Sequence, residues 1–194
     1  WVDSNSNGFY DENDLIASMH KPFTLGTRVY RVSDVERTGK NLVITETELD
    51  PLAEGIAAPD FTSHTVDSNE FRLSKLRGKF VLLDFWGTWC GPCLAEIPHL
   101  KSTYEQFGGD RFEIVSISVE DELPELKKFI SEKKMPWTHI AINKDDPVTE
   151  LYQVAKYPTT FLIAPDGTLI IQDRLSLRGK NLQETIAAEI GKVQ

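Results

Sequence analysis

Lys79-Phe80-Val81-Leu82-Leu83-Asp84-Phe85-Trp86-Gly87-Thr88-Trp89-Cys90-Gly91-Pro92-Cys93 is the stretch on which the reading of this chain turns. Lys79 to Trp86 is a near-continuous apolar run of strand length, the pattern of a strand buried on both faces. Gly87-Thr88 breaks it, and a helical pattern follows from about Cys90 to Gln106, closed by Gly108-Gly109. Cys90 therefore stands at the junction of a buried strand and a helix start. Unpaired N–H groups and the positive end of the helix dipole stabilise a thiolate there and make it a nucleophile near neutral pH. Cys93 lies one helical turn on, within reach of a disulfide. Pro92 sits where a helix tolerates the loss of an N–H. The expected chemistry is thiol–disulfide exchange: Cys90 attacks a disulfide, a mixed disulfide forms, and Cys93 resolves it.

Outward from this stretch, strand-length runs alternate with helix-period segments. Downstream come a strand over Arg111–Val119 and a helix marked by Leu126, Phe129 and Ile130. Then follow a strand over Trp137–Ile142, a short helix over Pro147–Val154, and a hairpin of Thr159–Ala164 and Thr168–Gln172 turned by Pro165-Asp166-Gly167. Leu182, Ile186 and Ile190 stripe a last helix. Upstream, Phe61–Val66 and Glu70–Leu73 read as a short hairpin. The order implies an α/β fold with a mixed sheet covered on both faces. Residues 1–58 differ: Thr27–Val32 and Asn41–Thr45 form a hairpin pattern around Thr38-Gly39-Lys40, with five basic against ten acidic residues. Pro51–Pro59 reads as a linker. The expected division is 1–58, a β-hairpin segment ending a truncated β-rich domain, and 59–194, the α/β domain.

The 194 residues are 40% hydrophobic and 26% charged, with a formal charge of −9, a globular profile. The acidic balance argues against nucleic-acid and anionic-membrane partners, which call for clustered Lys and Arg. No apolar run approaches the roughly 20 residues of a membrane-spanning helix. The chain opens at Trp1 rather than Met, as a processed or truncated product would, its targeting segment missing. With only two cysteines, both in one CxxC pair, a disulfide scaffold is excluded.

Trp89-Cys90-Gly91-Pro92-Cys93 behind Val81–Trp86 resembles the active-site strand and helix start of thioredoxin-like proteins. Asp60-Phe61, Leu73-Ser74-Lys75-Leu76-Arg77-Gly78-Lys79 and Cys93-Leu94-Ala95-Glu96-Ile97-Pro98 are similar to the extracytoplasmic TlpA/ResA-type (redoxin) thiol–disulfide oxidoreductases, as is the added strand and helix around residues 121 to 143. The resemblance covers residues 60 to about 192. It implies a thioredoxin-like central mixed sheet flanked by helices, with Cys90 the exposed nucleophile and Cys93 the resolving thiol. It further implies a bacterial-type, extracytoplasmic location, periplasmic or membrane-anchored through a missing N-terminal segment. The implied partners are protein thiols or disulfides and an upstream dithiol donor. No cofactor is expected beyond the redox-active Cys90–Cys93 disulfide.

The same resemblance assigns further roles. Asp84, six residues before Cys90, matches the buried acid of thioredoxins that accepts the resolving cysteine's proton through water; the plainer reading is a polar residue satisfied by backbone donors. Glu96, one turn after Cys93, matches a glutamate that tunes the pair, and is equally an ordinary helix-surface residue. Pro158 in Tyr157-Pro158-Thr159-Thr160-Phe161 matches a cis-proline facing the CxxC, where main chain pairs with an extended substrate; alone it reads as a trans proline opening a strand. Tyr157 departs from the smaller residue common before that proline, which bears on substrate choice. Trp89, Gly91 and Pro92 complete the expected substrate surface. Trp86 is equally a core residue, and Pro98 is expected to kink its helix.

Asp3-Ser4-Asn5-Ser6-Asn7-Gly8-Phe9-Tyr10-Asp11-Glu12-Asn13-Asp14 follows an EF-hand calcium loop through Asp3, Asn5, Asn7 and Asp11, with the shorter Asp14 in place of the bidentate Glu. The same residues also simply make turns. His20, His64, His99 and His139 show no metal-ligand spacing. Two rivals stand beside the oxidoreductase reading. A peroxiredoxin-type thiol peroxidase would use Pro-x-x-x-Thr-x-x-Cys, but Gly87 stands three before Cys90. A copper or zinc carrier would use the Cys90 and Cys93 thiolates with or without a histidine, but the sequence has neither a second CxxC nor a fitting His. By analogy with the CGPC pair of thioredoxin, at about −270 mV, the expected direction is reduction of protein disulfides.

Overall fold

In the computed structural model, residues 22–35, 41–49, 51–172 and 175–192 are described; the calcium reading of Asp3, Asn5, Asn7, Asp11 and Asp14 lies outside them. The chain forms two compact units. One runs to Leu52 and takes in Pro147–Ala155, and the other comprises Ala53–Asp146 and Lys156–Gln194.

In the first unit β1 (Pro22–Leu25), β2 (Arg28–Val35) and β3 (Leu42–Glu46) form an antiparallel sheet in the order β1-β2-β3. The β2–β3 pair matches the expected hairpin. β1 was not legible, because Pro-Phe-Thr-Leu is too short to show a period. Phe23, Val29 and Val32 are buried in this unit, and Thr24 exchanges hydrogen bonds with Gln153 of the Pro147–Ala155 segment.

The second unit is built on a mixed sheet in the order β10-β9-β6-β7-β8. Its strands are β6 (Phe80–Trp86), β7 (Phe112–Val119), β8 (Thr138–Ile142), β9 (Thr159–Ile163) and β10 (Leu169–Gln172). β6, β7 and β8 run parallel, and β9 is antiparallel to β6. All seven residues of β6 are buried, as its unbroken apolar run requires. The sheet edges are occupied. The hairpin of β4 (Thr62–His64) and β5 (Glu70–Arg72) adjoins β8, where Thr65 bridges Ile140 and Val66 N–H donates to the His139 carbonyl. On the other side Gly55 N–H donates to the Leu169 carbonyl and Leu169 N–H to that of Ile56. Most of the stretch read as a linker is thus an edge cover for β10.

α1 (Gly91–Phe107) passes through Pro98 without interruption. α2 (Leu123–Lys133) ends on Lys134 at φ +53°, α3 (Pro147–Leu151) belongs to the first unit, and α4 (Gly179–Gly191) closes the chain. Along β6 the side chains alternate between faces. Phe80, Leu82 and Trp86 share one buried cluster with Cys90, Cys93, Ile97 and Leu100 of the α1 region and Leu182 and Ile186 of α4. Asp84, in step with Leu82 and Trp86, is therefore on the face that carries the cysteine pair.

Candidate active site

Cys90 is the residue that caps α1: its backbone is extended, and its Sγ accepts from the N–H of Cys93 at 3.3 Å. The two cysteines form a disulfide, with 5.2 Å between their Cα atoms. Contrary to the expected exposure of Cys90, both are covered, Cys90 being 5% and Cys93 3% exposed. In the oxidised pair the Cys90 sulfur is tied back onto the first turn of α1, where the N–H of Cys93 also holds it. Gly91 and Pro92 are exposed. A helix N-terminus of this kind favours a thiolate on the residue that caps it.

The loop before Cys90 is fixed by contacts that sequence reading missed. Asp121, just beyond β7, accepts from the Thr88 N–H at 2.9 Å and the Thr88 hydroxyl at 2.5 Å, and also from the Ser118 hydroxyl. Trp89 Nε1–H donates to the Val119 carbonyl at 2.9 Å, laying the indole over Gly87, where a Cβ would fall 2.5 Å from Nε1. Gly87 is thus required by close approach. Trp89, next to Cys90 in the chain, stays 54% exposed and meets Tyr157 edge-on at 5.4 Å. The Tyr157–Pro158 peptide bond is cis. Arg178, just before α4, donates through Nη2 to the Pro158 carbonyl at 2.6 Å, and the adjoining Gly179 N–H donates to Glu96 Oε2 at 2.7 Å. Glu96 is half-buried and ties α1 to the start of α4.

Asp84 is 5% exposed, and burial pushes its carboxyl up from 3.8 to about 7. The Ser116 hydroxyl, donating to Oδ2 at 3.3 Å, and the charge of Arg178 act against that rise, while the charge of Glu96 adds to it. Among the described residues the donor to Asp84 is a side chain, where the plainer reading expected backbone donors. It pairs in register with Thr160 on β9 and Ser116 on β7, and Ser116 pairs with His139 on β8. Registered residues point to the same face, so four buried polar side chains cross the apolar sheet in one row. The Ser-Ile-Ser alternation inside β7 was the one visible sign of it; Arg178 and Asp121 gave none. An acid that changes charge near pH 7, on the face that carries a dithiol, is suited to take and return a thiol proton.

A family model described as the AhpC/TSA family matches residues 55–172. The chain belongs to the AhpC/TSA family. It is 37% identical over 129 residues to the thiol-disulfide oxidoreductase ResA of Oceanobacillus iheyensis, covering 63% of this chain and 67% of that protein. To ResA of Geobacillus kaustophilus it is 38% identical over 121 residues, covering 62% and 69%. Among solved structures, the thioredoxin domain of a thiol-disulfide oxidoreductase from Bacteroides vulgatus superposes with TM-score 0.65 at 33% identity, over 72% of this chain and 99% of that domain. A thiol:disulfide interchange protein from Bacteroides sp. gives TM-score 0.64 at 32% identity, over 72% and 91%. This AhpC/TSA member is thus a thioredoxin-like thiol–disulfide oxidoreductase with a CxxC-spaced pair. Among the described residues no helix is long and apolar enough to cross a membrane, and no group of three or more His, Cys, Asp and Glu is placed to hold a metal.

Proposed function

We propose that this oxidoreductase works as a reductase of protein disulfides outside the cytoplasm. The observation that carries the reading is the Cys90–Cys93 pair at the N-terminus of α1 with a buried acid, Asp84, on the same face. In the dithiol form the Cys90 thiolate attacks one sulfur of a substrate disulfide. The substrate S–S bond breaks, its other sulfur leaves as a thiolate and is protonated, and a Cys90–substrate disulfide forms. Cys93 then gives its proton to Asp84 through water and attacks Cys90 Sγ. The second substrate thiol is released, two electrons have passed to the substrate, and the Cys90–Cys93 disulfide is left for an upstream dithiol to reduce.

Trp89, Gly91, Pro92, Tyr157 and Pro158 form the substrate surface in this reading. An extended segment lies against the main chain beside Pro158 with an apolar residue on the Trp89–Tyr157 pair. Glu96 acts through α1 and α4, as a carboxylate whose charge bears on Asp84. The extracytoplasmic placement rests on the resemblance to TlpA/ResA-type proteins and is checked by fractionation of expressing cells. The decisive experiment is Cys93→Ser, which should accumulate mixed disulfides on Cys90. A redox potential near that of thioredoxin, about −270 mV, supports the reducing direction, and one near that of DsbA, about −120 mV, refutes it. Peroxide turnover that survives loss of Cys93 would instead favour the thiol-peroxidase rival.

A further inference from the structure

We propose that Trp137 and Ser116 are positioning residues that fix which oxygen of Asp84 carries the proton exchanged with Cys93. The inference rests on the reading of Asp84 as proton acceptor and adds to it a mechanism of control. Trp137 Nε1–H donates to Ser116 Oγ at 2.9 Å, and Ser116 donates to Asp84 Oδ2 at 3.3 Å. All three side chains are buried, Ser116 completely. An indole N–H can only donate, and a serine hydroxyl has one hydrogen. The indole takes one of the two lone pairs of the Ser116 oxygen and so narrows the rotation of the hydroxyl, whose hydrogen is directed at Oδ2. A proton on Oδ2 would face the Ser116 hydrogen head-on, so the acid proton is held on Oδ1.

The direction of the chain also favours the carboxylate. When Asp84 ionises, the Ser116 bond becomes charge-assisted and shortens, and the indole behind it polarises in the same sense. Without the indole N–H, Ser116 rotates more freely and more readily turns to accept from the protonated acid, which favours the neutral form. Two further rings pack on the indole: those of Tyr104 and His139, each with its centroid 5.6 Å away. Among the described residues, the charged and titratable groups that bear on Asp84 are Arg178 at the start of α4, Glu96 on α1 and His139 along the row on β8, with the cysteine pair on the same face of the sheet. Of these, none donates a hydrogen bond to Asp84; among the described residues that donor is Ser116.

The test follows the Asp84 carboxyl carbon and the Trp137 indole N–H by NMR in the full reduced chain as pH is varied. In the unaltered protein the indole resonance should titrate with the Asp84 midpoint. Ser116→Ala should sever that coupling. Ser116→Ala and Trp137→Phe should each raise the Asp84 midpoint by about one pH unit, a tenfold change in its ionisation equilibrium, and the double variant should rise no further than either. An indole signal that ignores Asp84, an unmoved or lowered midpoint, or additive effects overturns the proposal; the first needs no variant to fold. Asp84→Asn separates the two layers. If it leaves the pH profile of disulfide reduction unchanged, the acceptor reading fails, whereas the relay is judged by the NMR titrations of the proteins that keep Asp84.

Discussion

Replacing Asp84 with Asn should make the oxidised protein more stable in alkali and leave it unchanged in acid. Burial raises the carboxyl from 3.8 to about 7. Between those values the folded protein holds a proton that the unfolded chain has released. A raised acid therefore lends its full relative stability below about pH 4, and that stability is lost as pH rises to about 7. Three pH units at about 1.4 kcal/mol each place the carboxylate's burden near 4 kcal/mol at pH 9. Asn carries no charge at any pH, so its advantage over Asp should grow from nearly nothing at pH 4 to about 4 kcal/mol at pH 9. With a urea dependence of about 2 kcal/mol per molar, the unfolding midpoint moves by about 2 M. Trp86, Trp89 and Trp137 all lie in the unit that holds the site and report its unfolding by fluorescence. An advantage that does not vary with pH would refute the argument, since burial of a titrating acid cannot give a constant offset.

His139 should show the opposite dependence. Burial pushes it from 6.5 down to about 4, so the unfolded chain binds the proton first and stability falls by about 3 kcal/mol as pH drops from about 6.5 to 4. His139→Gln should expose the falling slope of Asp84 between pH 4 and 7, which the histidine otherwise offsets, in the same urea titrations. Asp121→Ala removes the acceptor of the Thr88 N–H and hydroxyl, and should cost about 1–3 kcal/mol and slow disulfide reduction by loosening the loop before Cys90. Leu82→Ala, at a fully buried position of β6, should cost about 2–5 kcal/mol, whereas Leu123→Ala, at 41% exposure, should stay within about 0.5 kcal/mol; equal losses would refute the burial argument.

Much of this was legible because its signals are local. The apolar run of Lys79–Trp86, the punctuation at Gly87 and the CxxC spacing report strand, turn and helix start within fifteen residues, and α1 begins one residue after Cys90 as expected. What sequence could not supply were contacts between residues far apart in the chain. Ser116 and Trp137 reach Asp84 only because β7 pairs in parallel with β6 and Trp137 immediately precedes β8. Arg178 meets Pro158 because α4 starts beside β9. The edge pairing of Gly55 and Ile56 has the sequence pattern of a linker because Pro and Gly mark turns and edge covers alike.

By itself, the sequence determined the chemistry and the class of fold: two thiols one helical turn apart at a strand-to-helix junction admit few reactions, and backbone propensity with apolar period specifies the elements that carry them. Only the tertiary structure decided how that chemistry is tuned. Proton affinity depends on burial and on the few groups within a few ångströms, and those groups, Ser116, Arg178 and Glu96 around Asp84, are gathered from β7, the start of α4 and α1. Local pattern places a carboxylate in a strand; the packing of distant segments makes it an acid that titrates near neutrality.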